Sequence, residues 1–214
     1  MSVLPVSVVI PVASRPELVA EAIASVLAGA DLPGELIVVG NDPAGRAADA
    51  AAARTALAGA PAAVETRWSF CPVPGPGAAR NAGVALSSRP WLAFLDSDDL
   101  WQPERLRQQW AYLARRPFLG CCHSREIWWK DGRILQQPLH LQPRRGRFLK
   151  ASFEHCLISC SSVLIRRELF RSLGGFDEGF PVCEDFELWL RLLCRRPVGL
   201  APGELVTKRS GGSS

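Results

Sequence analysis

Residues 91–99 read Trp-Leu-Ala-Phe-Leu-Asp-Ser-Asp-Asp, an apolar run that stops abruptly at a group of carboxylates. A short run that is apolar at every position is typical of a strand buried on both faces of a parallel sheet. The acidic residues would then follow the carboxyl end of that strand, which is where open α/β sheets bind ligands. This stretch therefore predicts a fold class and the position of a site.

The segments before this run alternate between strand and helix patterns. Strands are predicted at 7–11, 36–39, 63–67 and 91–95, because each is short and rich in β-branched or apolar residues. Helices are predicted from Ser14-Arg15-Pro16, with proline at the first helical position, to Gly29, and at 46–58 and 77–86. This alternation predicts an α/β fold with a doubly wound, mainly parallel sheet.

The segments after residue 100 predict a mixed second half. A helix is expected from Pro103 to about Arg116, and 121–129 with 133–135 form an antiparallel hairpin around Lys130-Asp131-Gly132. Further predictions are a strand at 161–165, a helix at 184–193, and short strands at 198–200 and 205–207. We expect one domain over 1–209, with halves 1–100 and 101–209, and a disordered tail at 210–214.

Composition and charge indicate a globular protein and give no sign of a membrane-spanning or disulfide-rich one. The chain has 214 residues, 48% of them hydrophobic, and its net charge of +4 does not require a nucleic-acid partner. Its seven cysteines form no C-x-x-C pair, so we expect reduced thiols. The absence of a long apolar run or secretory start predicts a cytoplasmic protein. The basic cluster Arg144, Arg145, Arg147 and Lys150 leaves a local anion site or peripheral association with the inner membrane face open.

The carboxylates after the apolar run indicate a metal site. Asp96, Asp98 and Asp99 follow one another closely, and their mutual repulsion is hard to tolerate without a cation. A hard divalent metal with oxygen ligands would relieve it. The alternative is that Asp98 or Asp99 caps the helix that starts near Pro103.

Two other segments have compositions suited to binding. Residues 75–83 are a glycine-rich helix start that contains Arg80, which suits phosphate, although it would serve equally as a turn. Residues 174–178 form a glycine turn that leads to Glu184 and Asp185 at the start of a helix. These two acids would either face a pocket or cap the first helical turn.

In this order the motifs resemble those of family 2 glycosyltransferases of the GT-A fold, over nearly the whole chain. The matching segments are 7–11, 77–83, 94–99, 174–178 and 184–191. The resemblance implies a UDP-sugar or GDP-sugar donor bound over residues 1–100, with Mn²⁺ or Mg²⁺ on its diphosphate. A glycan or lipid-linked acceptor would lie over 101–209, and the sugar would be transferred to its hydroxyl in polysaccharide synthesis.

The resemblance also assigns roles to individual residues. The positions that it implies at the donor are Pro11, Ser14, Arg15, Arg80, Asp96, Ser97 and Asp98. Asp98, with Asp96, would ligate the metal, and Asp185 would be the general base of a single displacement with inversion.

The sequence departs from the family pattern in two places. Position 40 is Gly40 where the family usually has aspartate, so Asn41 or Asp42 must substitute for that contact to the base. A histidine-containing loop that many relatives carry near 206–209 is absent. These departures keep open an inactive nucleotide-sugar-binding scaffold. A nucleotidyltransferase is a second alternative, although residues 12–15 lack its glycine-rich, lysine-containing loop.

Two neighbouring tryptophans stand in the half that would meet the acceptor. Trp128 and Trp129 lie in the predicted hairpin. Aromatic rings stack on sugar faces, and they also pack at interfaces, which is the interpretation we favour for this pair.

Overall fold

The computed structural model describes residues 2–209, within which the chain forms nine strands and seven helices. The strands are β1 (Val3–Val12), β2 (Leu32–Gly40), β3 (Glu65–Phe70), β4 (Trp91–Phe94), β5 (Leu100–Trp101), β6 (Cys121–Lys130), β7 (Arg133–Leu135), β8 (Leu164–Arg166) and β9 (Gly199–Arg209). The helices are α1 (Pro16–Leu27), α2 (Arg46–Ala58), α3 (Pro76–Leu86), α4 (Arg105–Ala114), α5 (Leu149–Ser152), α6 (Arg167–Leu173) and α7 (Glu184–Arg195). The tail predicted at 210–214 lies outside the described residues.

The strands form one mixed sheet in the order β3-β2-β1-β4-β8-β6-β9-β5, with β7 paired to β6. Its first half is parallel, since β1 pairs in parallel with both β2 and β4, and β2 pairs in parallel with β3. The predicted doubly wound architecture of the first half is therefore confirmed. The carboxyl ends of β1, β2 and β4 lie side by side at one edge of the sheet.

Helices cover both faces of the sheet. Successive β1 residues alternate between two cores, so that Val8 and Ile10 pack with α1, α2 and α4, whereas Val9 packs with α3, α6 and α7. The α2 bounds agree with the prediction from sequence. Among residues 2–209, no helix combines the length and apolar character needed to cross a membrane.

The second half is mixed, as predicted, but several of its elements differ from the prediction. β8 runs antiparallel to both β4 and β6, and β9 runs parallel to β6. The two short strands predicted near the end are one continuous strand, β9. The hairpin of β6 and β7 is confirmed. The short elements β5, α5 and α6 were not predicted.

All seven cysteines are free thiols, as expected from their spacing. Four of them are buried, and Cys156, Cys183 and Cys194 are exposed. The described part of the chain is therefore stabilised by its packed cores without covalent cross-links.

Candidate active site

A cleft of about 420 Å³ lies at the carboxyl ends of the parallel strands. Its lining comprises Pro11, Val12, Ala13, Arg15, Asn41, Gly75, Pro76, Arg80, Asp96, Ser97 and Asp98. Seven of the nine positions that the sequence suggested for the nucleotide sugar therefore meet around one cleft. The other two, Ser14 and Asp42, do not line it, and the Ser14 hydroxyl donates a hydrogen bond to the Asp42 carboxylate.

The loop after β1 is held in place by a carboxylate from α2. Asp49 is buried and accepts hydrogen bonds from the backbone N–H groups of Ser14 (2.8 Å) and Arg15 (2.9 Å). Burial raises the pKa of Asp49, although these two donors oppose the shift. Asp49 fixes the backbone from which the Arg15 side chain extends to Asp98. The sequence showed Asp49 only as one polar residue in an alanine-rich helix.

The three aspartates after β4 have three separate partners. Asp96 binds Arg80 at 2.6 Å, Asp98 forms an ion pair with Arg15, and Asp99 accepts a hydrogen bond from the Ser161 hydroxyl at 2.7 Å. Protein groups therefore compensate part of the repulsion from which a cation was inferred, and the rest acts on Asp99. Within residues 2–209, no group of three or more His, Cys, Asp or Glu side chains is arranged to hold a metal ion.

The helix-capping alternative for these aspartates is wrong. α4 begins at Arg105, its N-cap position is Glu104, and no side chain caps it. Asp99 is buried and bound to Ser161. Burial, together with the negative charge of Asp96, raises the pKa of Asp99 to about 7. Asp99 is therefore a buried residue that anchors the loop after β4.

The donor groups of the cleft fit one kind of metal site. Asp96 and Asp98 both line the cleft, and their side chains are 26% and 36% exposed. Mg²⁺ is commonly bound through one or two carboxylates, with substrate phosphates and water completing its coordination. Two accessible carboxylates suit that arrangement once Arg15 releases Asp98, and they do not suit a site built from protein ligands alone.

Arg80 connects the 420 Å³ cleft to the second half of the chain. Its buried guanidinium donates to Asp96 and to Glu184, and it lies 5.3 Å from the centre of the Phe176 ring. Burial alone would raise the pKa of Asp96, but the charges of Arg80 and Lys208 outweigh it and hold that pKa below its usual value. Because Arg80 binds Glu184, the first residue of α7 is already engaged.

Asp185, the next residue, lines a different cavity, of about 300 Å³. This cavity is lined by Ser124, Glu126, Trp128, Gln137, Leu141, Pro143, Cys156, Leu157, Ile158, Ser159, Ser162, Asp185 and Lys208. Asp185 is half-buried and accepts a hydrogen bond from the Phe186 N–H at 2.7 Å, and none of the ion pairs between described residues includes it.

The surroundings of Asp185 favour its protonated form. Burial raises its pKa, the positive charge of Arg80 opposes that shift, and the charges of Glu184 and Asp96 add to it. The α7 N-cap position, Cys183, makes no side-chain cap. The Asp185 carboxylate therefore faces a cavity and is bound by no cationic side chain of the described residues.

Lys208 is a residue of this cavity that the sequence did not reveal. It lies near the end of β9, opposite Trp128 in the pairing of β9 with β6. Burial would lower the pKa of Lys208, but the negative charges of Asp99, Glu126 and neighbouring carboxylates raise it. Its ammonium group takes part in none of the ion pairs found among residues 2–209. In the sequence, nothing but its position near residue 209 distinguishes this lysine, so its place in the cavity could not be predicted.

A tight turn at residues 160–162 contacts the aspartates that follow β4. Residues 160–162 form a 3-10 turn where a strand was predicted, and β8 begins only at Leu164. Three side chains bind successive carbonyls of the turn and of the residue after it: Trp101 donates to that of Ser161 (3.1 Å), Gln109 to that of Ser162 (2.7 Å) and Arg105 to that of Val163 (2.9 Å). The strand predicted at 161–165 therefore starts three residues late, because side chains, instead of a neighbouring strand, satisfy these carbonyl groups.

This turn places Ser161 between two of the aspartates. Its hydroxyl accepts a hydrogen bond from the Asp96 N–H at 3.1 Å and donates one to Asp99. Ser161 thereby fixes the backbone of residues 96–99, which we call the acidic loop.

The structure explains the glycine at position 40. A Cβ atom added to Gly40 would lie 2.7 Å from the Trp68 ring, so the space for an aspartate side chain is filled. Asn41 lines the cleft, and its amide donates to the carbonyls of Cys71 and Val73. Of the two proposed substitutes for a carboxylate at position 40, Asn41 is at the cleft and Asp42 is not.

Comparison with known families finds two overlapping matches. The family described as "Glycosyl transferase family 2" matches residues 7–174, and one described as "Glycosyltransferase like family 2" matches 141–213. The first covers most of the chain, including the acidic loop and the glycine-rich helix start.

Individual relatives are similar over part of their own length. An uncharacterized glycosyltransferase of Rickettsia felis is 27% identical over 210 residues, which are 98% of this chain and 34% of that protein. The amylovoran biosynthesis glycosyltransferase AmsE of Erwinia amylovora is 27% identical over 171 residues, 70% of this chain and 59% of that one. The chain thus spans about a third to three-fifths of these two relatives.

Among solved structures, residues 1–349 of TarS from S. aureus, in complex with UDP-GlcNAc, share the fold. The TM-score is 0.77 at 16% sequence identity, covering 99% of this chain and 60% of that one. The GT-A fold expected from the sequence is thereby confirmed.

Proposed function

Because the chain belongs to glycosyl transferase family 2, we propose that it transfers a sugar from a nucleotide-diphosphate sugar to an acceptor hydroxyl, with inversion. One observation carries the proposal. The Asp185 carboxylate, which makes no ion pair within residues 2–209, faces a cavity, and its neighbour Glu184 binds the Arg80 side chain that lines the cleft of arginine-bound aspartates. The residues proposed to bind the donor thus lie in one cavity, and the proposed proton acceptor lies in another.

We assign the donor to the 420 Å³ cleft. Pro11, Arg15 and Asn41 would border the base, and Arg80, with Asp96, would shape the nucleoside end. Ser14 and Asp42 are not needed in this assignment, since they bind each other outside the lining. The similar TarS structure is a complex with UDP-GlcNAc, which supports a uridine donor for this chain as well.

Asp98, with Asp96, would hold Mn²⁺ or Mg²⁺ on the donor diphosphate. Such an ion offsets the negative charge that develops on a leaving diphosphate. Arg15 must then exchange its present partner, Asp98, for a donor phosphate, which is a favourable site for a guanidinium. Lys208 lines the Asp185 cavity, and its ammonium, which makes no ion pair within residues 2–209, would offset negative charge on the leaving group.

Asp185 would remove the proton from the acceptor hydroxyl as the oxygen attacks the anomeric carbon. Its raised pKa suits that role, because a base works best when its pKa approaches the working pH. Glu126 lines the same cavity, but Trp128 donates to one of its oxygens and the other is buried. Glu184 is bound to Arg80. With Asp185 as the single available base, one displacement inverts the anomeric centre.

The acceptor would occupy the Asp185 cavity. Trp128 lines it, and an aromatic ring there suits the apolar face of a sugar. Trp129 is 40% exposed and is not part of the lining. The two tryptophans that the sequence places together therefore have different surroundings.

A donor screen tests this proposal. Melting temperatures are measured with UDP-sugars and GDP-sugars in Mn²⁺ and in chelator, and products are assayed with sugar alcohols as acceptors. We expect one donor class to stabilise the fold more in Mn²⁺ and to support transfer.

The screen also separates the competing functions. Donor binding without transfer or hydrolysis would support an inactive scaffold. Release of pyrophosphate from a nucleoside triphosphate and a sugar phosphate would support a nucleotidyltransferase. Equal stabilisation in chelator would remove the metal from the proposal.

A further inference from the structure

A second concave surface, of about 780 Å³, lies apart from the donor cleft. It is formed by α4, β6, the start of β9 and the segment 143–145, and we call it the arginine groove. It is lined by Gln108, Ala111, Tyr112, Arg115, Arg116, Arg125, Pro143, Arg144, Arg145, Leu200, Ala201 and Pro202. Five of these residues are arginines, and none is acidic.

The arginines of the groove lack acidic partners. None of the five takes part in the ion pairs found among residues 2–209. Arg116 lies over the Tyr112 ring at 4.1 Å, and the other four are exposed. Glu204 stands opposite Arg125 in the β6–β9 register, but it does not line the groove. Five like charges gathered in one concavity create a positive potential that attracts anions.

The backbone that carries two of these arginines is anchored. Gly146 and Val198 exchange two backbone hydrogen bonds, of 2.8 and 3.0 Å. The buried His123 ring contacts the Arg144 carbonyl oxygen through Nε2 at 2.7 Å. Arg144 and Arg145 are therefore presented from a fixed segment, which lowers the entropic cost of ordering them around a ligand.

The shape of the groove distinguishes between anionic partners. A flat membrane surface meets protruding side chains, whereas a concave groove with apolar walls at Tyr112, Leu200 and Pro202 suits a chain that lies within it. Guanidinium groups bind phosphate, sulfate or carboxylate through paired hydrogen bonds. Pro143 lines both this groove and the Asp185 cavity, so the two surfaces are adjoining.

We propose that the arginine groove binds the anionic part of an acceptor glycan, whose reacting hydroxyl lies in the Asp185 cavity. The acceptor role rests on the proposed function, and the binding of an anionic glycan does not. The ligand class is a polysaccharide that carries phosphate, sulfate or carboxylate groups.

Binding is tested in the absence of any nucleotide sugar. The probes are short dextran sulfate and neutral dextran, which share one backbone, and phosphatidylglycerol vesicles. We expect the chain to bind dextran sulfate, more weakly at high salt, and not to bind dextran. Replacing Arg115, Arg144 and Arg145 together by glutamine should weaken that binding at least about tenfold.

A matched variant controls for net charge. Arg54, Arg133 and Arg171 are exposed, lie outside the groove and take part in no ion pair among the described residues, so replacing them by glutamine removes the same charge. This variant should keep the wild-type affinity within about twofold. Equal weakening in both variants would overturn the proposal, because binding would then follow overall charge. Groove-dependent binding to vesicles, with none to dextran sulfate, would overturn it in favour of a membrane surface.

Transfer assays separate the two levels of the proposal. If no donor supports transfer while the groove still binds dextran sulfate, the proposed function fails and the glycan site stands. If transfer occurs and the groove variant uses anionic and neutral acceptors as the wild type does, the acceptor role is overturned. A KM that rises only for anionic acceptors is the expected result.

Discussion

The donor cleft and the Asp185 cavity both contain carboxylates, but the partners of those carboxylates differ between the two regions. In the cleft, Arg80 binds Asp96 and Arg15 binds Asp98. In the cavity, Asp185 has only a backbone N–H as its partner, and the nearby Lys208 forms no ion pair with the described residues.

This contrast separates groups suited to binding from groups suited to chemistry. A carboxylate held by a guanidinium stays ionised and keeps its position. A half-buried carboxylate without a cation has a raised pKa and can take up a proton. Arg80 joins the two regions, since it engages Asp96 in one and Glu184, beside Asp185, in the other.

The largest expected effect comes from removing the unpaired carboxylate. Asp185→Asn keeps the size of the side chain and an oxygen for the Phe186 N–H, so folding and donor affinity should be nearly unchanged. Transfer should fall by ~10²-fold or more, since a positioned general base typically contributes that much. Steady-state kinetics and donor titration measure the two quantities. Glu126→Gln is the comparison variant, and near-wild-type transfer by Asp185→Asn would show that the base lies elsewhere.

Removing the unpaired cation of the same cavity should have the next largest effect. Lys208→Met keeps an unbranched apolar stem without the charge, and we expect kcat to fall by at least about tenfold, because charge on the leaving group loses a partner. Lys208→Arg should restore part of the rate. A change confined to acceptor KM, with kcat intact, would instead place Lys208 in acceptor binding.

Removing the Asp98 carboxylate, which is paired with Arg15 in the cleft, should affect donor affinity more directly than the rate of transfer. Asp98→Asn should weaken Mn²⁺-dependent donor affinity about fivefold, or by roughly 1 kcal/mol. Affinity in chelator should stay close to that of the wild type. Calorimetric titration with UDP or GDP, with and without Mn²⁺, makes the measurement. An equal loss in both conditions would mean that Asp98 acts only through Arg15.

The smallest expected effect is on stability. Because burial raises the pKa of Asp185 in the folded chain above 3.8, the stability that its protonated form supplies is complete below that value and is lost as pH rises through the raised pKa. Asp185→Asn should therefore melt roughly 1–3 °C above the wild type at pH 8, and this advantage should vanish near pH 4. Melting curves across that range suffice, and a pH-independent difference would contradict the assignment.

Local patterns predicted the first half of the fold well. The helix at 46–58 begins and ends where the sequence indicated. The apolar run at 91–95 forms a buried strand with one residue fewer, parallel to β1 and antiparallel to β8. Seven predicted binding residues meet in one cleft because the carboxyl ends of adjacent parallel strands share an edge. The strands and the edge where they end follow from local periodicity and one topological rule, whereas the individual residues were implied by the resemblance to the family's motifs.

The second half shows where local patterns fail. The strand predicted at 161–165 begins only at Leu164, because the side chains of Trp101, Gln109 and Arg105 bind the carbonyls of residues 161, 162 and 163. Those partners lie more than fifty residues away in the chain. The short elements β5, α5 and α6 likewise carry too few residues for periodicity to reveal them.

The sequence by itself determined the α/β class, the family and the clustering of donor-side residues, since each follows from short motifs in a recognisable order. Only the tertiary structure decided which carboxylates of the site are paired with arginines and which are not. Arg80 and Glu184 are 104 residues apart, and Lys208 reaches the cavity because β9 pairs with β6. Ion pairing depends on distances of a few ångströms between such remote side chains, and no local pattern encodes those distances.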